Sequence, residues 1–326
     1  DNDNATDDVA FATSNSNATE DAFPMDGMTA PKKSRCRQWA VVTTINPIGP
    51  SIVGVSNLRN WCLVIVGDTK TPDAEYEKLS ASRKENVFYL SASYQKGLMA
   101  EKNKKRKRKL PLIEMLPFRS FARKNIGYLF AISRGARVIF DFDDDNILMP
   151  LEDGETIPPP FHHFEEVDDR GGLKRTMLLK FTKTDTTKVK PTRLGFKVKG
   201  TPAASASSPI AFNPYPFMGP SLPYSWPRGF PIDQLQDNFE ESERITDLDG
   251  AAMEVASIGV IQSLCDGDPD NDAIFRMTRP NSTRFTFQRS KESLPLVVPS
   301  NAYSPYNAQA TTHLYRALLS GDSIYP

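Results

Sequence analysis

The sequence predicts an α/β fold, a mostly parallel sheet flanked by helices, on three observations. Short apolar runs alternate with helical segments, Trp61 to Val66 is apolar almost throughout, and a helix–strand unit ends in the triplet Asp143, Asp144 and Asp145. Alternation of this kind builds βαβ units, and strands covered on both faces read as continuous apolar runs. The 326 residues, 39% hydrophobic and 25% charged, are ample for one large core. Neither an internal repeat nor a second apolar core behind a clean linker is visible, so one domain is expected over residues 38–320.

Residues 1–37 are polar and rich in Asn, Ser and Thr, and the first 30 hold seven acidic residues and no basic one. Such a segment has too little apolar surface to offset ordering entropy, and a disordered acidic tail, or stem, is expected. Trp39 to Ile45 is β-branched and apolar and closes at Asn46-Pro47, giving the first strand. Val53 to Asn60 reads as a short helix, Trp61 to Val66 as a buried second strand ending at Gly67-Asp68, Pro72 to Ser82 as a polar helix, and Asn86 to Leu90 as a third strand. Lys102 to Lys109 is almost wholly basic and reads as a solvated insertion at about residues 100–110. Phe118, Phe121, Ile126, Leu129, Phe130 and Ile132 share one helical face, and Gly135 ends that helix before the strand that carries the triplet.

Beyond it, Pro158 to Pro160 interrupts the chain within a second insertion over 151–205, Arg193 to Val198 alternates as a strand does, and Thr201 to Pro209 is a loop. Ala251 to Leu264 carries Met253, Val255, Ile258, Ile261 and Leu264 as a helical stripe, followed by the Asp-rich turn Cys265 to Asp272. Residues 321–326 read as a C-terminal tail cut short.

Forty basic and forty acidic residues cancel, so no overall field favours nucleic acid or an anionic membrane surface. The basic run lacks the aromatic interleaving of a nucleic-acid site, and no nucleic-acid partner is expected. No apolar run approaches the roughly 18 residues that span a bilayer. The first residue is Asp, which predicts a leader, anchor or stem upstream as the only link to a membrane. Cys36, Cys62 and Cys265 have no metal-type spacing and form no disulfide framework, although one pair stays open. Glycosylation triplets at Asn4, Asn17 and Asn281 favour the lumen of the secretory pathway.

The triplet carries the chemistry. Burying even one ionised carboxylate without a partner costs on the order of several kcal/mol. A hard divalent cation resolves that conflict, and in open α/β sheets ligands bind beyond the carboxyl ends of the strands. The plainer alternative, a solvated acidic loop, sits less well with a triplet that directly follows an apolar strand.

Seven segments read in order add a resemblance: Trp39-Ala-Val-Val-Thr-Thr-Ile-Asn46, Trp61-Cys-Leu-Val-Ile-Val-Gly-Asp68-Thr-Lys-Thr-Pro72, Arg123-Lys-Asn-Ile-Gly-Tyr128, Phe140-Asp-Phe-Asp-Asp-Asp-Asn146, Trp226-Pro-Arg-Gly-Phe-Pro231, Asp270-Asn-Asp-Ala-Ile-Phe-Arg276 and Tyr306-Asn-Ala-Gln-Ala-Thr311. In these the chain resembles the STELLO-like proteins, glycosyltransferases of GT-A type in the Golgi. They are distantly similar to the reversibly glycosylated polypeptides that include UDP-arabinopyranose mutase. The resemblance spans roughly residues 38–318.

It implies a GT-A-like domain that binds a nucleotide sugar, a UDP-sugar above all, and passes the glycosyl group to a glycan or protein acceptor in the Golgi lumen. Mn2+ or Mg2+ suits the oxygen-rich site. Asp145 is implied as the principal metal ligand, Asp143 as a ligand to the ion or the ribose, and Asp144 as an aid to either. His313 is implied as a third ligand, against the plainer reading of a structural histidine. Thr43, Thr44 and Asn46 would hydrogen-bond a uracil or ribose and Asp68 would accept from the base, unless all four are turn chemistry. Arg123, Lys124 and Asn125 open a helix and would favour phosphate there, or form a surface basic pair. Trp226, after the aromatic stretch from Phe212, would wall a sugar ring or merely pack. Arg228, in the same stretch as Trp226, would serve catalysis beside the sugar, and Asp270 and Asp272 the acceptor side, with an aspartate as base or, alternatively, as a helix cap. Two rival functions accompany the resemblance: a non-catalytic scaffold for other Golgi glycosyltransferases or polysaccharide synthases, and a UDP-sugar mutase.

Overall fold

The computed structural model describes residues 36–100, 115–148, 196–198, 210–211, 213–218, 220–222, 224–235, 245–247, 259–263, 265, 271–279 and 302–314. The acidic tail through residue 35, the basic run, the insertion up to residue 195, the 201–209 loop, Asp270 and the last twelve residues lie outside them.

The first half is a βα succession: β1 (Gln38–Thr44), α1 (Pro50–Ser56), β2 (Trp61–Gly67), α2 (Asp73–Ser82), β3 (Val87–Leu90), α3 (Ala92–Ala100), α4 (Lys124–Ser133) and β4 (Val138–Phe142). Later come β5 (Phe196–Val198), β6 (Ile210–Ala211), β7 (Ile245–Asp247), β8 (Val260–Gln262), α5 (Ala273–Met277), β9 (Ala302–Tyr303) and β10 (Ala310–Leu314). Six strands form one sheet in the order β3-β2-β1-β4-β10-β8. The first four are mutually parallel, and β10 runs antiparallel to both β4 and β8. The α/β class and the mostly parallel sheet therefore stand as read from sequence.

Strand alternation divides the core into two layers. Ala40, Val42, Leu63, Ile65, Phe140 and Phe142 meet Ile52 and Val55 of α1 and Tyr76 of α2. Trp39, Val41, Cys62, Val64, Val66 and Ile139 meet Ile126, Phe130 and Ala131 of α4. Successive residues of a strand face opposite ways, so both layers come from the same three strands. Each wholly buried Val, Leu, Ile or Phe contributes about 1.5–3 kcal/mol. On the second face α4 lies close, because a Cβ at Gly127 would stand 2.5 Å from Val41 Cγ1 and 2.9 Å from Val66 Cγ2.

Three expectations change, and one left open is settled. The helix read from Val53 begins at Pro50, since proline suits the first helical turn where its missing N–H is not needed. The helix read through Phe118 and Phe121 starts as a 3-10 turn over Phe121–Arg123, with Phe121 exposed. Gly135 ends it at φ +87°, and Ala136 N–H returns to the Ala131 carbonyl at 3.0 Å. Within the helix read over Ala251 to Leu264, Val260–Gln262 is instead the edge strand β8, paired to β10. A short apolar run fits either period, and pairing to β10 decided it. The pair left open among the cysteines is Cys36–Cys62, a disulfide across the amino ends of β1 and β2.

Candidate functional site at the carboxyl edge of the sheet

The chain winds from β1 outward to β3 and then returns to place β4 on the other side of β1. That reversal opens a crevice beyond the carboxyl ends of β1 and β4, the position where open α/β sheets take ligands. The acidic triplet is the turn at the end of β4, and its neighbour across the reversal is Thr44.

Three side chains, at the end of β1, just past it and in α1, fix the turn. The Asp144 carboxylate accepts from Thr44 Oγ1, and from Asn46 Nδ2 at 2.9 Å. Asn46 N–H donates to Thr44 Oγ1 at 3.0 Å, and the Tyr76 hydroxyl donates to the Asn46 carbonyl at 2.9 Å. Ser51 Oγ donates to the carbonyls of Asp143, at 3.2 Å, and Asn146, at 2.7 Å. A second set of stitches joins the turn to the loop before β10: Asn146 Nδ2 donates to the Gln309 carbonyl at 2.8 Å, and Gln309 Nε2 to Asn146 Oδ1 at 3.3 Å.

Beneath the turn lies a buried charge cluster. Asp141 falls inside β4, on the face that carries Ile139, and is wholly buried. Lys124 and Tyr128, one helical turn apart on α4, reach it together. Lys124 Nζ stands 2.6 Å from Asp141 Oδ1 and 2.9 Å from Asp143 Oδ1, and donates to the carbonyls of Phe142 at 3.0 Å and Ala308 at 3.1 Å. The Tyr128 hydroxyl donates to the other oxygen of Asp141. Burial alone would lower the Lys124 ammonium, but Asp141 and Asp143 outweigh it and hold the group above its ordinary value. Burial pushes the Asp141 carboxyl up to about 6, against the pull of Lys124 and Tyr128. A lysine held above its ordinary value and a carboxyl near 6 are both ionised at neutral pH.

At the end of β2, Asp68 is buried and serves backbone donors. One oxygen accepts from Thr69 N–H at 2.5 Å and the other from Arg119 N–H at 2.6 Å. Thr71 Oγ1 accepts from Asp68 N–H at 2.7 Å and donates to the Thr44 carbonyl at 2.6 Å, which ties the ends of β1 and β2. Thr43 Oγ1 donates to the Val66 carbonyl at 3.0 Å. Thr43, Thr44, Asn46, Asp68, Asp143 and Asp144 therefore share one edge of the sheet.

The remaining nominated residues divide. Arg123 is fully buried: Nε donates to Gln95 Oε1 at 2.9 Å, Nη1 to the Leu116 carbonyl at 2.7 Å, and the guanidinium stands 4.0 Å over the Phe118 ring. Burial lowers its pKa while Asp68 raises it. Asn125 is buried as well. His313 sits inside β10 opposite Ile139, with its ring edge-on to Tyr128 and Tyr306. Burial and then Lys124 push its imidazole down to about 4, so it is neutral at neutral pH.

Trp226 meets Phe275 edge-on at 5.3 Å in a small cluster with Tyr215. Arg228 is exposed beside it. Asp272 caps α5, its Oδ1 accepting from Ile274 N–H at 2.9 Å, and its own N–H donates to the Trp226 carbonyl at 3.3 Å. That turn joins the crevice indirectly, because the Tyr303 hydroxyl donates to the Gly229 carbonyl at 3.4 Å, on the chain segment that runs on to Gln309 and its stitch to Asn146.

Asp143, Asp145 and His313 are not gathered as a metal cage: among the described residues no group of three His, Cys, Asp or Glu side chains is placed to hold an ion. The donors at hand fit another mode. Asp145 is exposed at the rim and Asp143 is half-buried beside it, which suits a Mg2+- or Mn2+-type ion bound by one or two carboxylates and completed by phosphate oxygens.

Asp141, Tyr128, Asn146, Gln309 and Arg119 were not nominated from sequence. An aspartate between two phenylalanines in an apolar strand was the available signal for Asp141, and the four-residue spacing of Lys124 and Tyr128 the signal for its partners. Nothing local marks Gln309, which meets the site from far along the chain.

No family model matches the chain. Among curated proteins it is similar to Probable glycosyltransferase STELLO2 and Probable glycosyltransferase STELLO1, both of Arabidopsis thaliana. It is 25% identical to each, over 277 and 276 residues, or 83% and 82% of this chain. The sequence is STELLO-like. It spans 29% of the length of each of these relatives.

Proposed function

We propose that the crevice is a nucleotide-sugar site and that the chain is the catalytic GT-A-like part of a Golgi glycosyltransferase. The observation that carries this reading is the acidic turn held against Thr44 and Asn46 at the reversal between β1 and β4. The names of the two relatives support its glycosyltransferase part. The Cys36–Cys62 disulfide belongs with an oxidising lumen, which supports the compartment.

In this reading Thr43 and the rim shaped by Asp68 receive the nucleoside, and a UDP-sugar is the donor. Asp145 and Asp143 hold the divalent ion, which supplies positive charge to the diphosphate leaving group. Lys124 fixes one oxygen of Asp143, so that carboxylate is oriented before a ligand arrives. Trp226 lies against the sugar or acceptor. In an inverting transfer, Asp272 takes the proton of the acceptor hydroxyl as that oxygen displaces the nucleoside diphosphate at the anomeric carbon.

Calorimetric titration with UDP and Mn2+ tests the donor site. Binding that requires the ion and is lost in Asp145→Ala is the expected result, and UDP binding equal in the two proteins removes it. UDP-sugar turnover with and without acceptor then separates transfer from the scaffold and mutase readings. Asp272→Asn is expected to retain donor binding and lose transfer.

A further inference from the structure

We infer that Arg119 is the cation that meets the diphosphate of the donor. The inference rests on the nucleotide-sugar reading and adds a residue that neither the sequence pattern nor the relatives nominate. A diphosphate at this edge needs fixed positive charge, yet both cations expected to supply it are committed elsewhere. Arg123 is spent on Gln95, Leu116 and the Phe118 ring, and Lys124 on Asp141 and Asp143.

Arg119 differs from both. Its side chain is exposed and makes no hydrogen bond or ion pair among the described residues. Its backbone is held at φ +60°, the left-handed region that an arginine seldom adopts. Such conformations persist only where the surroundings over-determine them, and they gather at ligand sites. The surroundings here do so from three sides. The Asp68 carboxylate accepts the Arg119 N–H at 2.6 Å, Phe118 is packed under the Arg123 guanidinium at 4.0 Å, and Ser120 Oγ caps the following 3-10 turn at Ala122 N–H, 3.2 Å away.

Its place is also set. Thr43 continues the alternation of Trp39 and Val41 on the α4 face, Asp143 meets Lys124 of α4 at 2.9 Å, and Asp68 holds the Arg119 N–H in the segment that leads into α4. Arg119 is thus anchored at the end of β2 on the side of the crevice where Thr43 and Asp143 lie. A fork of N–H donors there suits phosphate oxygens better than a lysine would.

The test is titration of the full chain with UDP and, separately, with uridine, both in Mn2+, on wild type, Arg119→Gly, Arg119→Lys and Lys70→Ala. Glycine accepts φ +60° without strain, so Arg119→Gly removes the guanidinium while keeping the backbone, and its melting temperature is expected to equal or exceed that of wild type. UDP affinity is expected to fall at least tenfold in Arg119→Gly and less in Arg119→Lys. Uridine affinity is expected to stay within twofold. Lys70→Ala, which removes an exposed charge two residues beyond Asp68, is expected to stay within twofold for both ligands. UDP affinity within twofold of wild type in Arg119→Gly overturns the inference, as does an equal loss for UDP and uridine. Wild-type protein that binds no UDP takes down the nucleotide-sugar reading itself, and this inference with it.

Discussion

Replacing Lys124 with methionine keeps much of the side-chain volume and removes the charge, which isolates what the ammonium does. The side chains of Lys124 and Asp141 are 4% and 0% exposed, so water cannot take over when the cation is lost. Asp141 would keep its Tyr128 hydrogen bond but lose its 2.6 Å ion pair, and the carbonyls of Phe142 and Ala308 would each lose a donor. Breaking a buried pair in this way costs about 3–5 kcal/mol. For a domain of this size that lowers the melting temperature by roughly 10 °C. Urea denaturation followed by tryptophan fluorescence gives the free energy directly, and the double variant Lys124→Met with Asp141→Leu is expected to recover much of the loss, because apolar replacement of both partners removes the uncompensated charge. A loss below about 1 kcal/mol in the single variant, the range of exposed pairs, refutes the reasoning.

Three further outcomes follow from the same geometry. Cys36→Ser opens a disulfide that closes a 26-residue separation and is expected to cost about 3.5 kcal/mol in a melt run without reductant, with dithiothreitol producing no further loss in the variant. Gly127→Ala pushes a methyl to 2.5 Å from Val41 Cγ1 and is expected to lose about 1–3 kcal/mol by overpacking, more than the ~1 kcal/mol gained in helix propensity; a rise in urea midpoint would contradict it. For pH, the folded His313 pKa of about 4 lies below its ordinary 6.5, so as pH falls through that window the unfolded chain binds the proton first and the folded state loses about 2–3 kcal/mol from this group by pH 4.5. Asp141, raised from 3.8 to about 6, works the other way over nearly the same window, so the histidine contribution is read as the difference between wild type and His313→Phe, whose stability curves are expected to diverge below pH 6.5 and not to run parallel.

The fold was legible wherever a single strand or helix decides its own pattern. Trp39 to Thr44 and Trp61 to Gly67 are apolar enough to be buried on both faces, Asn46-Pro47 and Gly67-Asp68 mark their ends, and Gly135 supplies the backbone freedom that closes α4. The edge carrying Thr43, Thr44, Asp68 and Asp143 to Asp145 was legible for the same reason, since parallel strands deliver their carboxyl ends together. What stayed hidden depends on partners distant in sequence. Arg123 and Lys124 look alike as basic residues opening a helix, and only Gln95, Asp141 and Asp143 reveal that both turn inward. His313 looked like a ligand by its place near the C-terminal segment, but the pairing of β10 with β4 sets it among aromatic rings. Ile261 fitted a helical stripe until β10 offered it an edge.

One consequence lies in the reciprocal amide pair of Asn146 and Gln309, which closes a sequence distance of 163 residues. The chain leaves the sheet just after the acidic turn, adds the edge strand β8 on the way, and comes back to the turn at Gln309, so both rims of the crevice are sewn together at the neck of a very long excursion. Entropy charges such an excursion only by the logarithm of its length, about 0.6 kcal/mol for each doubling. Length added between the described elements of that excursion therefore carries a small thermodynamic penalty while the neck holds and β8 keeps its pairing with β10.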